Sequence, residues 1–273
     1  LSDVLVPQFF IPLFFILHVL SYLCPAKYTQ ELINPITLKH MKRGVINAME
    51  DEHARLASHL EEAHEQSCGL YSYVEGRLGA NTLVLTRCGI GKVNAALGAA
   101  ELIRRFSPDC IVSTGVAGGT GEGLQVTDVV AGVRVAYHDV WCGDGNAYGQ
   151  VQGLPAVFEA DPRLLACARR LSKAGGLESR IHCGLICTGD QFITDRAKLD
   201  AIRAAFPDVQ AVDMESAAIA QTCYLYKVPF ISFRIVSDTP GSEGHWQQYL
   251  DFWGTVADRS FHATKAFLEV ISD

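Results

Sequence analysis

Basic residues are scarce in this 273-residue chain and nowhere clustered: 23 Lys and Arg stand against 30 Asp and Glu, for a formal charge of −7. Adjacent basic pairs such as Arg104 with Arg105 and Arg169 with Arg170 fall inside helix-like stretches. Without a basic stripe to displace counterions from phosphates, a nucleic-acid partner is excluded. Linkers rich in Ser, Pro or Gly, internal repeats and low-complexity tracts are also missing from Lys42 to Asp273, which reads as one domain. A composition 49% hydrophobic and 19% charged excludes disorder, collagen and coiled coil, and suffices to bury a large core. A disulfide framework is lacking as well, because the nine cysteines are odd in number and Cys68, Cys88, Cys110, Cys142, Cys167 and Cys223 are scattered. They read as small core residues of a protein in a reducing compartment. Cys183 and Cys187 sit inside a probable strand, without the short-turn spacing of a zinc knuckle, so no metal is expected.

The first forty residues differ from all that follow. Val4 to Cys24 is uncharged and mostly apolar, about as long as the ~20 residues of a bilayer span. Pro7, Pro12 and His18 interrupt it, and it has neither the basic start nor the small-residue cleavage site of a signal peptide. Residues 1–40 are therefore read as an apolar leader or a non-native upstream extension, with Met41 the first methionine and residues 41–273 the working domain. A membrane partner is expected only if the leader is genuine. In that case Lys27, Lys39, Lys42 and Arg43 behind it would hold the body in the cytoplasm, where the second reading also puts it.

From Lys42 onward, short β-rich runs alternate with amphipathic ones. Gly44–Ala48, Thr82–Arg87, Cys110–Thr114, Asp128–Val135, Ile181–Cys187 and Phe230–Val236 read as buried strands. Glu50–Gln66, Lys92–Phe106, Pro162–Lys173, Arg196–Phe206 and Glu215–Tyr226 carry apolar residues at helical spacing. The pattern predicts an α/β fold, a single-domain three-layer α/β/α arrangement around a central mixed sheet.

Ligands of such sheets collect where strands end and helices begin. Four junctions stand out here. In Ala48-Met49-Glu50-Asp51-Glu52, acids open a helix, which favourable interaction with the helix dipole also explains. Cys88-Gly89-Ile90-Gly91-Lys92-Val93-Asn94 is a tight glycine turn that fails as a phosphate loop, with Val93 where Ser or Thr is needed and Asn94 in place of the third glycine of a dinucleotide fingerprint. Ser113 to Gly121 offers four glycines and backbone N–H groups, as a ligand loop or as a plain turn. Finally, Asp213 and Asp238 each read singly as a cap. Taken together, however, Glu52, Glu215 and Asp238 are carboxylates at junctions of one sheet, and gathering acids in a crevice is costly unless chemistry uses them.

The runs GVINAMEDE, CGIGKVNAALGA, STGVAGG, YHDVW, YGQ, GLICTGDQFI, AVDMESAAIA and VPFISFRIVSD, in this order, resemble the 5′-methylthioadenosine/S-adenosylhomocysteine nucleosidases, a branch of the purine nucleoside phosphorylase-like enzymes. The similarity covers Met41 to about Ala266. It implies hydrolysis of the bond between adenine and a 5′-thio-substituted ribose, with an adenine nucleoside as small-molecule partner and no cofactor. It further implies Asp238 as general acid on the purine, Glu52 as the base activating water, and Glu215 with Met214 against the ribose. Phe192 would stack on the purine, the Ile193 backbone would read its edge, and Ser237 would hold Asp238 or the purine. Gly118 belongs to the same site, in the STGVAGG loop. Ile90, with Trp246, Tyr249 and Phe252, would wall the 5′-thioalkyl group, and a homodimer whose neighbouring loop closes that pocket is implied. Arg234 would balance carboxylates or form a structural ion pair.

Two departures stand against the family pattern. Val116 replaces a serine near the catalytic water, and Trp141–Ala147 differs from the usual loop beside the thioalkyl pocket. The alternatives are a purine nucleoside phosphorylase and a non-catalytic nucleoside-binding protein. Phosphorolysis would need cationic groups around a phosphate, and the resembling phosphorylases have an arginine where this chain has Ser113. A mere binder would gain nothing from burying an acid beside a purine nitrogen.

Overall fold

The computed structural model describes residues Met41–Ile271. The leader of residues 1–40, and the choice between anchor and extension, lie outside the described residues. Among those described, no helix is long and apolar enough to cross a membrane.

Strands that are buried on both faces read as near-continuous apolar runs, and the central ones here do. They are β1 (Lys42–Asn47), β4 (Asn81–Arg87), β5 (Cys110–Gly119), β6 (Val129–Tyr137), β8 (Ile181–Thr188) and β10 (Phe230–Asp238). Shorter or outer strands are β2 (Glu61–Cys68), β3 (Tyr71–Leu78), β7 (Phe158–Glu159) and β9 (Val209–Asp213). The helices are α1 (Glu50–Ala57), α2 (Lys92–Phe106), α3 (Pro162–Ala174), α4 (Arg196–Ala205), α5 (Ser216–Tyr226), α6 (His245–Asp251) and α7 (Ala257–Val270), with a π-turn at Phe252–Val256.

From one edge the strands run β2, β3, β4, β1, β5, with β1 parallel to both β4 and β5. Beyond β5 the sheet curls back on itself. β5 pairs with β10, β10 with β6, β6 with β8 and β8 with β9, and β9 returns to β5 through Gly118–Val212 and Gly119–Ala211. The sheet is mixed, as expected, and its curl draws the C-terminal ends of β5, β9 and β10 around one space.

Alternate residues serve opposite layers, as the pleat requires. Val45, Val112, Phe233 and Ile235 pack with Leu164 of α3 and Phe261 and Phe267 of α7. Ile46, Ile111, Val130 and Val236 pack with Ala95, Ala99 and Leu102 of α2 and Ala217 to Ala220 of α5. The Phe233 and Phe267 rings stack at 4.4 Å.

One expectation is corrected. The helix read over Glu50–Gln66 stops at Ala57, and residues 61–68 form edge strand β2, hairpinned onto β3. Every residue of β2 but Cys68 is exposed, so no apolar residue registers a strand period and the run of helix formers misleads. The cysteines of the described residues are free. Cys88, Cys110, Cys167, Cys187 and Cys223 are buried as expected, whereas Cys142 and Cys183 are exposed.

Candidate active site

Glu52 lies in the first turn of α1, directly beyond the end of β1. Its Oε2 accepts hydrogen bonds from the Ala48 and Met49 amides at 2.9 and 3.0 Å, folding the side chain back over its own helix start. Its Oε1 accepts from Val116 N at 2.9 Å, across the sheet. That approach needs Gly115, whose φ is +140°, because a Cβ there would collide with the Glu52 carboxylate. Glu52 is 1% exposed. Burial raises its pKa, opposed by the positive charge of Arg234 and by the three amides.

Arg234, in the middle of β10 and 1% exposed, is the cation around which the acids gather. Its Nε meets Asp213 Oδ2 at 2.9 Å, and its Nη2 lies 3.5 Å from Glu215 Oε2. Nη2 also donates to Ser113 Oγ at 3.0 Å and Nε to Ser216 Oγ at 3.2 Å. Asp213 is further tied by Thr188 Oγ1 at 2.6 Å and caps α5 through Ser216 N at 3.3 Å. The cap read from the sequence is present, but so is a buried ion pair. Glu215 Oε1 accepts from Gly91 N at 3.0 Å. Burial pushes the Glu215 carboxyl up, Arg234 opposes this, and the neighbouring Asp213 and Glu52 charges add to the rise.

Asp238 ends β10, where a register shift sets it opposite Gly118 of β5. Ser237 Oγ donates to its Oδ1 at 2.7 Å. Asp238 is 2% exposed, and burial raises its pKa, while the Ser237 hydrogen bond and the nearby His245 oppose the rise. A carboxyl so placed holds its proton more readily than one in water.

These acids face one hollow. Ile90, Gly118, Phe192, Met214, Glu215, Ser237, Glu52 and Asp238 all line it, together with Met49, Val116, Asp213 and Tyr249. Ile193 lines an adjoining recess with Gln191 and Pro240, which shares Gly118, Phe192, Met214 and Asp238. The residues the sequence singled out for the acids, the sugar and the purine are thus brought together, whereas Trp246 and Phe252 of the expected wall are not among them. At position 116 the backbone N–H holds Glu52, and the valine side chain carries no hydroxyl into the hollow that this residue lines.

The aromatic wall is only partly as expected. Tyr249 lines the hollow, and its ring meets Phe192 edge-on at 5.6 Å. Trp246 stacks on Tyr249 at 5.5 Å and is half exposed, outside the lining. Phe252, at the junction of α6 and the π-turn, is buried in the core with Phe261 and Phe267 of α7. Reasoning from sequence missed Met49 as a wall residue. Its neighbour Ala48 also lines the hollow, and both follow from the chain leaving β1 for α1 at this point.

Residues 42–269 match the Phosphorylase superfamily. The 5′-methylthioadenosine/S-adenosylhomocysteine nucleosidase of Chromohalobacter salexigens is 44% identical over 203 residues, which are 74% of this chain and 86% of that one. The crystal structure of the nucleosidase of that name from Neisseria meningitidis, in complex with methylthio-immucillin-A, superposes with a TM-score of 0.79 at 40% identity, covering 84% of this chain and 98% of that one. The Colwellia psychrerythraea enzyme, in complex with adenine, gives a TM-score of 0.80 at 38% identity, covering 85% and 96%.

Proposed function

Because this chain belongs to the 5′-methylthioadenosine/S-adenosylhomocysteine nucleosidase family of the phosphorylase superfamily, we propose that it hydrolyses the N-glycosidic bond of both nucleosides, releasing adenine and the 5-thioribose product. The observation that carries this reading is that Glu52 and Asp238, both buried, face a single hollow from the C-terminal ends of β1 and β10.

Breaking the bond leaves negative charge on the purine and positive charge on the sugar. Asp238, whose hold on a proton burial strengthens, shares that proton with the purine nitrogen so that adenine leaves neutral. Ser237 fixes the carboxyl through Oδ1, which leaves Oδ2 for the purine. Glu52, anchored by three amides and facing the Arg234 charge, accepts a proton from the attacking water. Water gives its hydroxide to the anomeric carbon and its proton to Glu52, while the Asp238 proton goes to adenine. Glu215 accepts from the ribose hydroxyls, and its charge stabilises the cationic ring more as the bond lengthens. Phe192 supplies the stacking face, the Ile193 backbone reads the purine edge, and Ile90, Met49 and Tyr249 wall the sulfur end.

Hydrolysis is preferred to phosphorolysis because the guanidinium of Arg234 is already engaged by Asp213, Glu215, Ser113 and Ser216, and the carboxylates around it repel phosphate. We read the enzyme as a cytoplasmic homodimer. Free thiols, including exposed Cys142 and Cys183, suit a reducing compartment. Exposed Ile90, Val93, Leu97 and Trp141 offer apolar surface for a second copy. The test is adenine release from methylthioadenosine in phosphate-free buffer. Release without phosphate is expected, and cleavage that required phosphate and produced ribose 1-phosphate would overturn the reading.

A further inference from the structure

The reaction leaves three motif residues unused: Lys92 of the glycine turn, Asp139 of the YHD run and Asp190 of the TGD run. The structure joins them in a closed ring of hydrogen bonds. Asp190 Oδ1 accepts from Lys92 N at 2.7 Å, capping α2 from an element 98 residues away. Asp190 N donates to Asp139 Oδ2 at 2.9 Å. Both Asp139 oxygens in turn receive Lys92 Nζ at 2.8 Å.

Each side of the ring adjoins a different part of the hollow. On one side is the Ile90–Gly91 turn, whose Gly91 amide holds Glu215 and whose Ile90 lines the wall. On the other, two and three residues beyond Asp190, are Phe192 and Ile193. Gly91 has φ +95° and N-caps α2, and a Cβ on it would approach Asp190 Oδ1 to 3.0 Å. The turn and the segment are thus in contact through this carboxylate.

We propose that Asp190 is a positioning residue that sets the spacing between the ribose side and the purine side of the site, with Asp139 and Lys92 holding it in place. The inference rests on the nucleoside reading of the hollow. A capping carboxylate on a chain of fixed length transmits geometry well: moving the 190–193 segment moves the amide that orients Glu215. Misplacement by a fraction of an ångström reduces productive binding without removing any group that touches substrate.

The test uses Asp190→Ala, Asp190→Asn and Asp139→Ala in the purified full chain. Asp190→Ala should lower kcat/KM for methylthioadenosine about ten- to a hundredfold, mainly through KM, as expected for a lost charge-assisted hydrogen bond. Asp190→Asn keeps an oxygen for Lys92 N and should stay within about threefold of wild type. Asp139→Ala should resemble Asp190→Ala, and the double variant should be no worse than either single one, because both break one ring. In the ligand-free protein, hydrogen exchange of residues 90–93 and 190–193 should accelerate together in Asp190→Ala. Multiplicative single effects, faster exchange of one segment alone, or an asparagine variant as impaired as the alanine would overturn the proposal. If the wild type releases no adenine, the nucleosidase reading fails, and the exchange experiment still decides whether the ring couples the two segments.

Discussion

Replacing Asp238 with Asn separates what its burial does for the fold from what it does for the reaction. The carboxyl is 2% exposed and its described partner is the Ser237 hydroxyl, with His245 nearby. Asn offers the same oxygen to Ser237 and adds no atoms, so packing is preserved, but it cannot give up a proton as an acid does. Turnover should fall about 10²–10⁴-fold, or ~3–5 kcal/mol of barrier. Stability should move the other way. A carboxyl whose folded-state pKa lies above its unfolded value is penalised for ionising in the fold. That penalty is full above the folded pKa and vanishes below the unfolded one. Asn removes it, for a gain of roughly 1–3 kcal/mol near pH 8. At about 2–4 °C per kcal/mol for a domain of this size, Tm should rise by several degrees, and the gap from wild type should close as pH falls through the carboxylate range. Adenine release followed by absorbance, with thermal melts across pH, measures both. A variant that melts below wild type at pH 8, or a gap that persists below pH 4, would show that the Asp238 charge is well solvated or paired and would remove the physical basis for its role as an acid.

The other expectations follow from the same geometry. Wild-type kcat should be bell-shaped in pH, falling on the acid side as Glu52 gains a proton and on the alkaline side as Asp238 loses one. Ser237→Ala removes the hydrogen bond that opposes the rise in Asp238's pKa, so the alkaline limb should move to higher pH; a shift to lower pH would contradict this. Gly115→Ala drives a Cβ into the Glu52 carboxylate at a φ that disfavours side chains, and should cost stability by about 1–3 kcal/mol and turnover by at least tenfold, read by melts and adenine release. Arg234→Met strands Asp213 and Glu215 without their cation and should destabilise by about 3–5 kcal/mol in urea unfolding, with partial recovery when Asp213→Asn is added.

The three carboxylates were legible because their signal is topological. Each follows a buried strand: β1 and β10 run parallel to β5 and end on the same side, and β9, though antiparallel to β5, ends there too because its last residues pair with Gly118 and Gly119. The interactions that set their chemistry were less legible. Asp213 reads as a helix cap in one dimension and is one, yet the same carboxylate neutralises Arg234, because the curl of the sheet brings β9 and β10 to opposite sides of β5. No local pattern reports a contact that depends on that closure. Edge strand β2 failed for a different reason: with its side chains in water on both faces, only backbone pairing with β3 defines it.

The Tyr249 and Phe252 pair marks the finest limit. Three residues apart, they would share one face of a regular helix, and both would border the hollow. Their positions are nevertheless about 60° apart around the helix axis, enough here for one ring to line the hollow and the other to enter the core. Which ring is buried is a matter of packing: Phe252 shares the core cluster with Phe261 and Phe267 of α7, both fully buried. On the nucleosidase reading, the wall at the sulfur end then depends on packing of the C-terminal helix. Substitutions in that core are expected to shift preference among 5′ substituents before they affect the acids at the strand ends.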